Sequence, residues 1–392
     1  MARTPENSAR CLSLSQNSAG AGLLLTTLAL LALGVVVVHS AMIRPVIKEV
    51  DWFSRVANRH TIYAIIAMIV LFTLWRFDYH RLDGKRVPFL AGVILLIGLA
   101  LAAIVLIPGV GYSEGEYTRW LRIGPVSFQP SELVKFALVI FLAAWLGREG
   151  TNVRSFWKTF LPAVLVIGIG VGAVVTEDVS TGAVVGMAAV VTLILAGVPW
   201  YYLLTLIPPL IWGVYKFILT DPYRFKRISA WLDPFGSAAE NYQPGQSLKA
   251  ILSGGWSGKG LGYGTVKLGY LPEGSSDFVF SVYAEEWGFI GAVLLMGLFI
   301  LWMWHARNAA VRAKDRFGQL LVGSLGFLLA MQAVMHIAVA LVMAPTTGMG
   351  LPFVSYGGTA LVISAAAVAL MMSVSARGRA KGETAELMAG NG

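Results

Sequence analysis

The chain has 392 residues, of which 57% are hydrophobic and only 13% charged, and its formal net charge is +9. Soluble globular proteins carry about a quarter of their residues as charged side chains, so this composition excludes an ordinary soluble protein and indicates a surface that largely faces lipid. The single cysteine, Cys11, excludes an internal disulfide, and the five scattered histidines argue against a histidine-built metal centre.

Ten apolar runs approach the length of about 20 residues that a membrane-spanning helix needs. The first run lacks the short apolar stretch and cleavage site of a secretory signal, so we interpret it as a retained helix. We predict an all-α integral membrane protein with one polytopic domain over residues 21–375, flanked by tails at 1–20 and 376–392. The ten runs lie near 21–43, 61–75, 88–108, 132–147, 159–176, 180–197, 202–219, 283–304, 319–343 and 359–375.

The distribution of Lys and Arg predicts the orientation of these helices. With the N-terminus in the cytoplasm, the inner segments hold 16 basic and 7 acidic residues, whereas the outer segments hold 12 and 11. Because positive charge concentrates on the cytoplasmic side, both termini are predicted to be cytoplasmic. The basic composition therefore reflects membrane orientation, and we predict no nucleic-acid partner.

An ionisable pair begins the fourth predicted helix. In the string from Gln129 to Lys135, Pro130 suits the first helical position, and Glu132 and Lys135 are three residues apart, so they share one helix face and can pair. Ionisable groups within a span usually face the protein interior or a cavity. The pair is either part of a substrate site or a structural link between two helices.

A large extracytoplasmic loop, residues 221–282, separates the seventh and eighth predicted helices. Its segment 224–232 mixes cations with aromatic residues, which predicts an amphipathic helix at the membrane interface. Six glycines between Gly254 and Gly264 predict tight turns. The string 258–264 looks like a phosphate cradle, but it lacks a Ser or Thr after its Gly-Lys pair and a preceding strand, so we reject a nucleotide site.

Asp277 directly precedes the apolar start of the eighth helix. One interpretation is a general base at the membrane surface. The other is a helix cap, since a carboxylate satisfies free N–H groups at a helix N-terminus.

The segment from Pro345 to Gly358 holds two prolines and four glycines, which predicts non-helical backbone near the membrane surface. Such backbone must be buried in protein or line a cavity. The segment is either the wall of a site, with Ser355 and Tyr356 as polar contacts, or a plain re-entrant turn.

Taken in series, motifs along nearly the whole chain resemble the SEDS family (shape, elongation, division and sporulation) of bacterial peptidoglycan glycosyltransferases, which includes FtsW, RodA and SpoVE. The strings at 232–234 and 267–273 are more similar to the division-type FtsW than to the elongation-type RodA. The matching strings are Arg119-Trp120, Gln129 to Lys135, Tyr223 to Arg227, Leu232-Asp233-Pro234, Gln246-Ser247-Leu248, Gly254-Gly255-Trp256, Leu271 to Glu286 and Pro345 to Gly358.

The sequence departs from the family pattern at three places. Ser275-Ser276 stands where members usually carry His-Thr, and His336 stands in place of an Asn. The string from Thr176 to Thr181 only loosely matches the family's Pro-Asp-hydrophobic-Gly-Thr sequence. These changes bear on fine substrate contacts rather than on the reaction class.

The resemblance implies an enzyme that polymerises lipid II into glycan strands at the outer face of the bacterial cytoplasmic membrane. Asp277 would be the catalytic base. Lys135, held by Glu132, would neutralise the leaving pyrophosphate, and Arg224 and Arg227 would reach lipid phosphates. A divalent cation, Mg²⁺ or Mn²⁺, could supply the same charge, although the sequence has no dedicated ligand set.

The implied partners are lipid II, the undecaprenyl-pyrophosphate-linked glycan, divisome components and a class B penicillin-binding protein. We expect this transpeptidase against the eighth and ninth helices. Three alternatives remain: an elongation polymerase, a flippase that moves lipid II across the membrane, and a scaffold that only docks partners. A flippase needs ionisable groups near mid-span, whereas here, apart from Lys216, the candidates lie near the outer ends.

Overall fold

The computed structural model describes residues 18–42, 59–83, 89–113, 118–123, 126–234, 236, 241–265, 271 and 274–377. Most of the two predicted tails, residues 1–17 and 378–392, lies outside the described residues, as does most of the string 267–273.

Each of the ten apolar runs forms a helix, and the large loop contributes two more. The described part of the chain thus holds helices α1 (Ser18–Met42), α2 (Arg59–Leu74), α3 (Phe89–Val105), α4 (Pro130–Leu146), α5 (Phe156–Val175), α6 (Val179–Leu195), α7 (Trp200–Leu219), α8 (Pro222–Leu232), α9 (Tyr242–Gly254), α10 (Val279–Val311), α11 (Arg316–Ala340) and α12 (Thr359–Arg377). In the described part of the chain, six helices are long and apolar enough to cross a membrane: α1, α5, α7, α10, α11 and α12. Helices α2, α3 and α6 are also apolar but shorter. The chain is a multi-pass membrane protein.

The all-α expectation fails in one place, between α3 and α4. Three short strands form an antiparallel sheet in sequence order, with Tyr112 opposite Trp120 and Leu121 opposite Phe128. Strands of three to six residues are too short to give a clear alternating pattern, so the sequence did not reveal them. The strands are β1 (Gly111–Ser113), β2 (Thr118–Ile123) and β3 (Val126–Phe128).

Helix α4 is the centre of the bundle. Fourteen of its seventeen residues are buried, and it packs against α3, α5, α6 and α11. Pro130 occupies the start of the helix, as its sequence predicted. By contrast, α7 has no buried residue, and most of its apolar side chains face outward, as expected of a helix largely surrounded by lipid.

The glycine-rich segment 254–264 packs into a break in α10. Gly288 has φ +68° and ψ −167°, which interrupts the helix. The exposed backbone groups pair with the glycine-rich segment: Phe289 N donates to Gly255 O at 2.8 Å, and Ile290 N donates to Trp256 O at 3.2 Å. A side chain at Gly258 would collide with Glu286 O, since its Cβ would lie 2.1 Å away. Here the glycines permit backbone-to-backbone contact.

Two buried glutamates anchor this junction. Glu285 accepts hydrogen bonds from Lys259 Nζ at 2.7 Å and from Thr265 N at 2.9 Å. Glu286 accepts from Ser40 Oγ of α1 at 2.7 Å. Both carboxylates therefore accept hydrogen bonds inside the protein, as buried polar groups require, and together they tie the glycine-rich segment and α1 to α10.

The contact between Gly254 and α10 gives a stability prediction. A Cβ at Gly254 would lie 2.2 Å from Ala284 O, so Gly254→Ala must push the two backbones apart. We expect a loss of about 1–3 kcal/mol, the usual cost of overpacking, seen as a lower apparent melting temperature in detergent. Gly297→Ala is the matched control, because Gly297 is also helical but has open space around its Cβ; an equal loss in both variants would contradict this packing.

Candidate functional site

Asp277 lies in the turn that leads into α10. The N-cap residue of this helix is Phe278, so Asp277 precedes the capping position by one residue, and its side chain is partly exposed. A Cβ built on Gly348 would lie 4.0 Å from Asp277 Oδ2 and 3.3 Å from Arg119 Nη1. The Asp277 carboxylate, from the turn before α10, and the Arg119 guanidinium, from β2, therefore lie next to the same glycine.

The segment 344–358, which we call the re-entrant loop, is hydrogen-bonded to the residues just before Asp277. Ser355 Oγ donates to Ser276 O at 2.7 Å, and Tyr356 N donates to Ser275 O at 2.9 Å. These bonds use the backbone carbonyls of Ser275 and Ser276. The departure from His-Thr at these positions thus leaves this attachment intact.

The other side of the re-entrant loop is attached to α11. Gln332 Nε2 donates to Gly350 O at 2.9 Å, and His336 Nδ1 lies 2.9 Å from Met349 O. A carbonyl only accepts, so His336 must carry a proton on Nδ1. An Asn side chain could donate the same hydrogen bond to Met349 O. The exchange of the family's Asn for His336 therefore keeps this contact.

Lys135 connects this attachment to the centre of the bundle. It is completely buried, with Nζ 2.7 Å from Glu132 Oε2 and 2.9 Å from Gln332 Oε1. The predicted Glu132–Lys135 pair is thus present, and Gln332 is a third member that sequence reasoning missed. Lys135 Nζ donates a hydrogen bond to the Gln332 side chain, which in turn donates one to Gly350 O of the re-entrant loop.

Strained backbone occurs within the re-entrant loop and just before it. Val342 has φ +59° and Phe353 has φ +66°, a region that a β-branched or bulky residue rarely adopts. Tertiary contacts hold both: Val342 O accepts from Trp231 Nε1 at 2.9 Å, and the buried Phe353 ring packs 5.8 Å from Trp302. Such strain persists only where the surroundings fix the conformation, and the loop that contains Phe353 is bonded to the two residues before Asp277.

The two arginines predicted to bind substrate both lie on α8, the expected amphipathic helix. Arg224 bonds to Asp221 and to two backbone carbonyls, Phe217 O at 3.0 Å and Val175 O at 3.4 Å. Arg227 Nη1 donates to Thr346 O of the re-entrant loop at 3.4 Å. Both guanidinium groups therefore contribute to the fold around the site.

Glu177 is a further ionisable group near the site, and the sequence suggested no role for it. It lies between α5 and α6, next to Asp178, whose carboxylate caps α6 through Thr181 N at 3.0 Å. Burial raises the pKa of the Glu177 carboxyl to about 7, although Ser131, Gln129 and the charge of Arg119 act in the opposite direction. Its sequence signal was a polar string between two apolar runs, within the loose match to the family motif at 176–181.

The described residues contain no group of three or more His, Cys, Asp or Glu side chains arranged to hold a metal ion. The structure thus brings together Asp277, Arg119 and the re-entrant loop with Ser355 and Tyr356, and behind them Lys135 and Glu132.

Comparison with known proteins identifies the family. The profile of the family that contains FtsW, RodA and SpoVE, described as "Cell cycle protein", matches residues 21–380. The chain belongs to the FtsW/RodA/SpoVE family. It is 34% identical over 358 residues to the probable peptidoglycan glycosyltransferase FtsW of Geobacter sp. (strain M18), covering 91% of this chain and 96% of that one.

Two solved structures share the fold of this FtsW/RodA/SpoVE member. One is a chain of a peptidoglycan synthase complex, studied for its coordination of polymerization and crosslinking, with a TM-score of 0.74, 28% identity and coverage of 91% and 97%. The other is the rod shape determining protein RodA of Thermus thermophilus, with a TM-score of 0.64, 27% identity and coverage of 90% and 95%. Both likenesses extend over almost the whole chain.

The buried ion pair gives a prediction for stability. Lys135→Met leaves the Glu132 carboxylate buried without its cation, which typically costs about 3–5 kcal/mol. We expect a strong fall in apparent melting temperature in detergent. The double variant Glu132→Gln/Lys135→Met has no such charge and should recover much of the loss. If the double variant is as unstable as Lys135→Met, charge compensation is not what Lys135 contributes.

Proposed function

We propose that this chain is a peptidoglycan glycosyltransferase that polymerises lipid II at the outer face of the bacterial cytoplasmic membrane. The observation that carries the proposal is the position of Asp277, a partly exposed carboxylate beside Arg119, held by a strained loop that is itself attached to the buried Lys135. The name of the FtsW relative supports the same activity.

The proposed reaction joins two sugars. An acceptor hydroxyl of lipid II attacks the anomeric carbon of the growing glycan, a new C–O bond forms, and the bond to the undecaprenyl pyrophosphate breaks. Asp277 accepts the proton of the attacking hydroxyl, and the pyrophosphate leaves with the bonding electrons. A base near the membrane surface, within hydrogen-bond reach of the hydroxyl, suits this step.

The leaving pyrophosphate needs positive charge. Arg119 is the cation next to the Asp277 region, whereas Lys135 is completely buried and bonded to Glu132 and Gln332. We therefore assign the direct electrostatic role to Arg119, and Lys135 stays a predicted substrate contact that would require the site to open. A divalent cation, Mg²⁺ or Mn²⁺, also stays a prediction.

The membrane location fits the substrate. The prenyl tails of lipid II and of the growing glycan are apolar, so the enzyme can bind them only along lipid-facing grooves between helices. The excess of positive charge in the inner segments supports cytoplasmic termini, and with that orientation Asp277 would lie on the outer side. Loop 221–282 would then be extracytoplasmic, with ten spans in all.

The division role and the protein partner are further parts of the proposal. Similarity to the FtsW relative favours a function in cell division with divisome components, and similarity to a chain of a peptidoglycan synthase complex favours a class B penicillin-binding protein as partner. Helix α10 offers the exposed side chains Phe289, Leu294 and Trp304 for such a contact. The elongation function of RodA is the alternative within the family.

Replacement of Asp277 tests the activity. We expect Asp277→Asn, purified with the cognate transpeptidase, to make at least about 100-fold less glycan polymer from lipid II in detergent, because general base catalysis contributes about 10²–10⁴-fold. The readout is polymer length and amount on gels. Glu149→Gln, an exposed carboxylate beyond the end of α4, should retain wild-type activity.

The outcomes separate the hypotheses. Polymer from the wild type but not from a folded Asp277→Asn protein supports both the enzyme class and the base. Normal polymerisation by Asp277→Asn rejects the base and leaves the enzyme class standing. If the wild type moves lipid II across vesicle membranes and makes no polymer under varied metal and partner conditions, the flippase alternative replaces the proposal.

A further inference from the structure

A groove of about 680 Å³ lies between the last turns of α6 and α10 and the first turns of α11. Its apolar walls include Leu195 of α6, Val311 of α10, and Leu320 and Gly323 of α11. Helix α10 begins two residues after Asp277 and ends at Val311, so the groove lies at the opposite end of this helix from Asp277. It has no part in the reaction proposed above.

The rim of the groove is apolar and faces outward. Leu195 is 50% exposed and Val311 is 65% exposed, and Ile194 beside them is also exposed. Exposed apolar surface of this kind marks contact with lipid or with another protein. The floor is open because Gly323 has no side chain: a Cβ there would already lie 3.1 Å from Leu195 Cδ1. The shape and polarity of these walls suit an apolar chain.

Arg316 and Gln319 give the groove a polar end, and both side chains are exposed. The Arg316 guanidinium is held in position, because its Nη2 donates a hydrogen bond to Ala196 O in the connection that follows α6. A backbone carbonyl is neutral, so this bond orients the guanidinium without cancelling its charge. Its other N–H groups remain available to an acceptor in the groove.

The connection between α10 and α11 has an excess of positive charge. Its one carboxylate, Asp315, accepts hydrogen bonds from Tyr79 Oη and, at 2.8 Å, from Gly318 N. Among the described residues, no carboxylate forms an ion pair with Arg316. The three cations of the connection are Arg312, Lys314 and Arg316. The polar end of the groove is therefore complementary to an anion.

We propose that this groove binds an anionic phospholipid, with the headgroup phosphate at Arg316 and an acyl chain along Leu195 and Gly323. Basic pockets between membrane helices bind anionic headgroups, and a guanidinium matches the geometry of phosphate oxygens. A free phosphate would use the cation and leave the apolar walls uncovered, whereas a phospholipid fits both parts. The inference requires neither the glycosyltransferase activity nor a particular orientation in the membrane.

A bound lipid would contact three helices that are far apart in the sequence. Helices α6, α10 and α11 each contribute to the walls, so a lipid in the groove links their ends. A ligand that binds only the folded state raises the apparent melting temperature. Phosphatidylglycerol should therefore stabilise the protein in detergent more than phosphatidylcholine with the same acyl chains.

The test is a titration of the full-length protein in detergent with these two lipids, followed by native mass spectrometry and by thermal unfolding. The wild type should bind phosphatidylglycerol about fivefold more tightly than phosphatidylcholine, the size expected for one cation near an anionic headgroup. Arg316→Gln should lose this preference, and Arg316→Lys, which retains the charge, should keep most of it. Raising the salt concentration should reduce the preference in the wild type, since the guanidinium is exposed.

Two further variants separate the groove from general surface attraction. Arg154→Gln removes an exposed arginine that does not line the groove and should bind both lipids as the wild type does. Gly323→Leu places a side chain in the groove and should weaken the binding of both lipids at unchanged net charge. Each variant is first compared with the wild type by size-exclusion chromatography, because Arg316→Gln also loses the bond to Ala196 O.

Four outcomes would overturn the inference. Equal losses in Arg154→Gln and Arg316→Gln would show that the lipid responds only to overall charge. Wild-type binding by a folded Gly323→Leu protein would exclude the groove. Stabilisation by inorganic phosphate equal to that by phosphatidylglycerol would show an anion site without a lipid. Tighter, Arg316-dependent binding of undecaprenyl phosphate would assign the groove to a prenyl lipid instead. If Arg316→Gln does not fold, the salt dependence, Arg316→Lys and Gly323→Leu still decide.

Discussion

The architecture of the site depends on one buried cation. Lys135 lies completely inside the bundle, where an ammonium group is tolerated only if charge and hydrogen-bond acceptors surround it. Glu132, one turn earlier on α4, supplies the charge, and Gln332 on α11 supplies a neutral acceptor. Because a glutamine also has donors, its NH₂ group is left to bind Gly350 O of the re-entrant loop. The requirement to satisfy one lysine thus positions a loop that belongs to a distant part of the sequence.

A second constraint fixes the start of α10, where Asp277 lies. The helix is broken at Gly288, and the backbone groups released there bond to the glycine-rich segment 254–264. This contact is close because neither side has a Cβ at the critical points. The first turns of α10 are therefore held between the glycine-rich segment on one side and the re-entrant loop, through Ser355 and Tyr356, on the other.

These constraints suit a polymerase that works on lipid-linked substrates. In the proposed reaction, the Asp277 carboxylate has to remain at a defined height relative to the membrane while lipid-linked substrates bind and leave beside it. A base on a rigid turn can do this when every supporting contact is internal to the protein. The outward-facing α7, with no buried residue, leaves its apolar surface to the lipid or to a lipid-linked substrate.

The sequence by itself determined the membrane class, the ten helical runs, the amphipathic helix α8 and the Glu132–Lys135 pair. Each of these depends on composition or on spacing within one helix, which is local information. The short sheet before α4 gave no usable local signal. Only the tertiary structure decided that Gln332 completes the Lys135 site, that the glycine-rich segment fills the break in α10, and that Arg119 and Asp277 lie beside the same glycine, Gly348. These are contacts between residues far apart in the chain, and which partners meet depends on how the helices pack rather than on any spacing in the sequence.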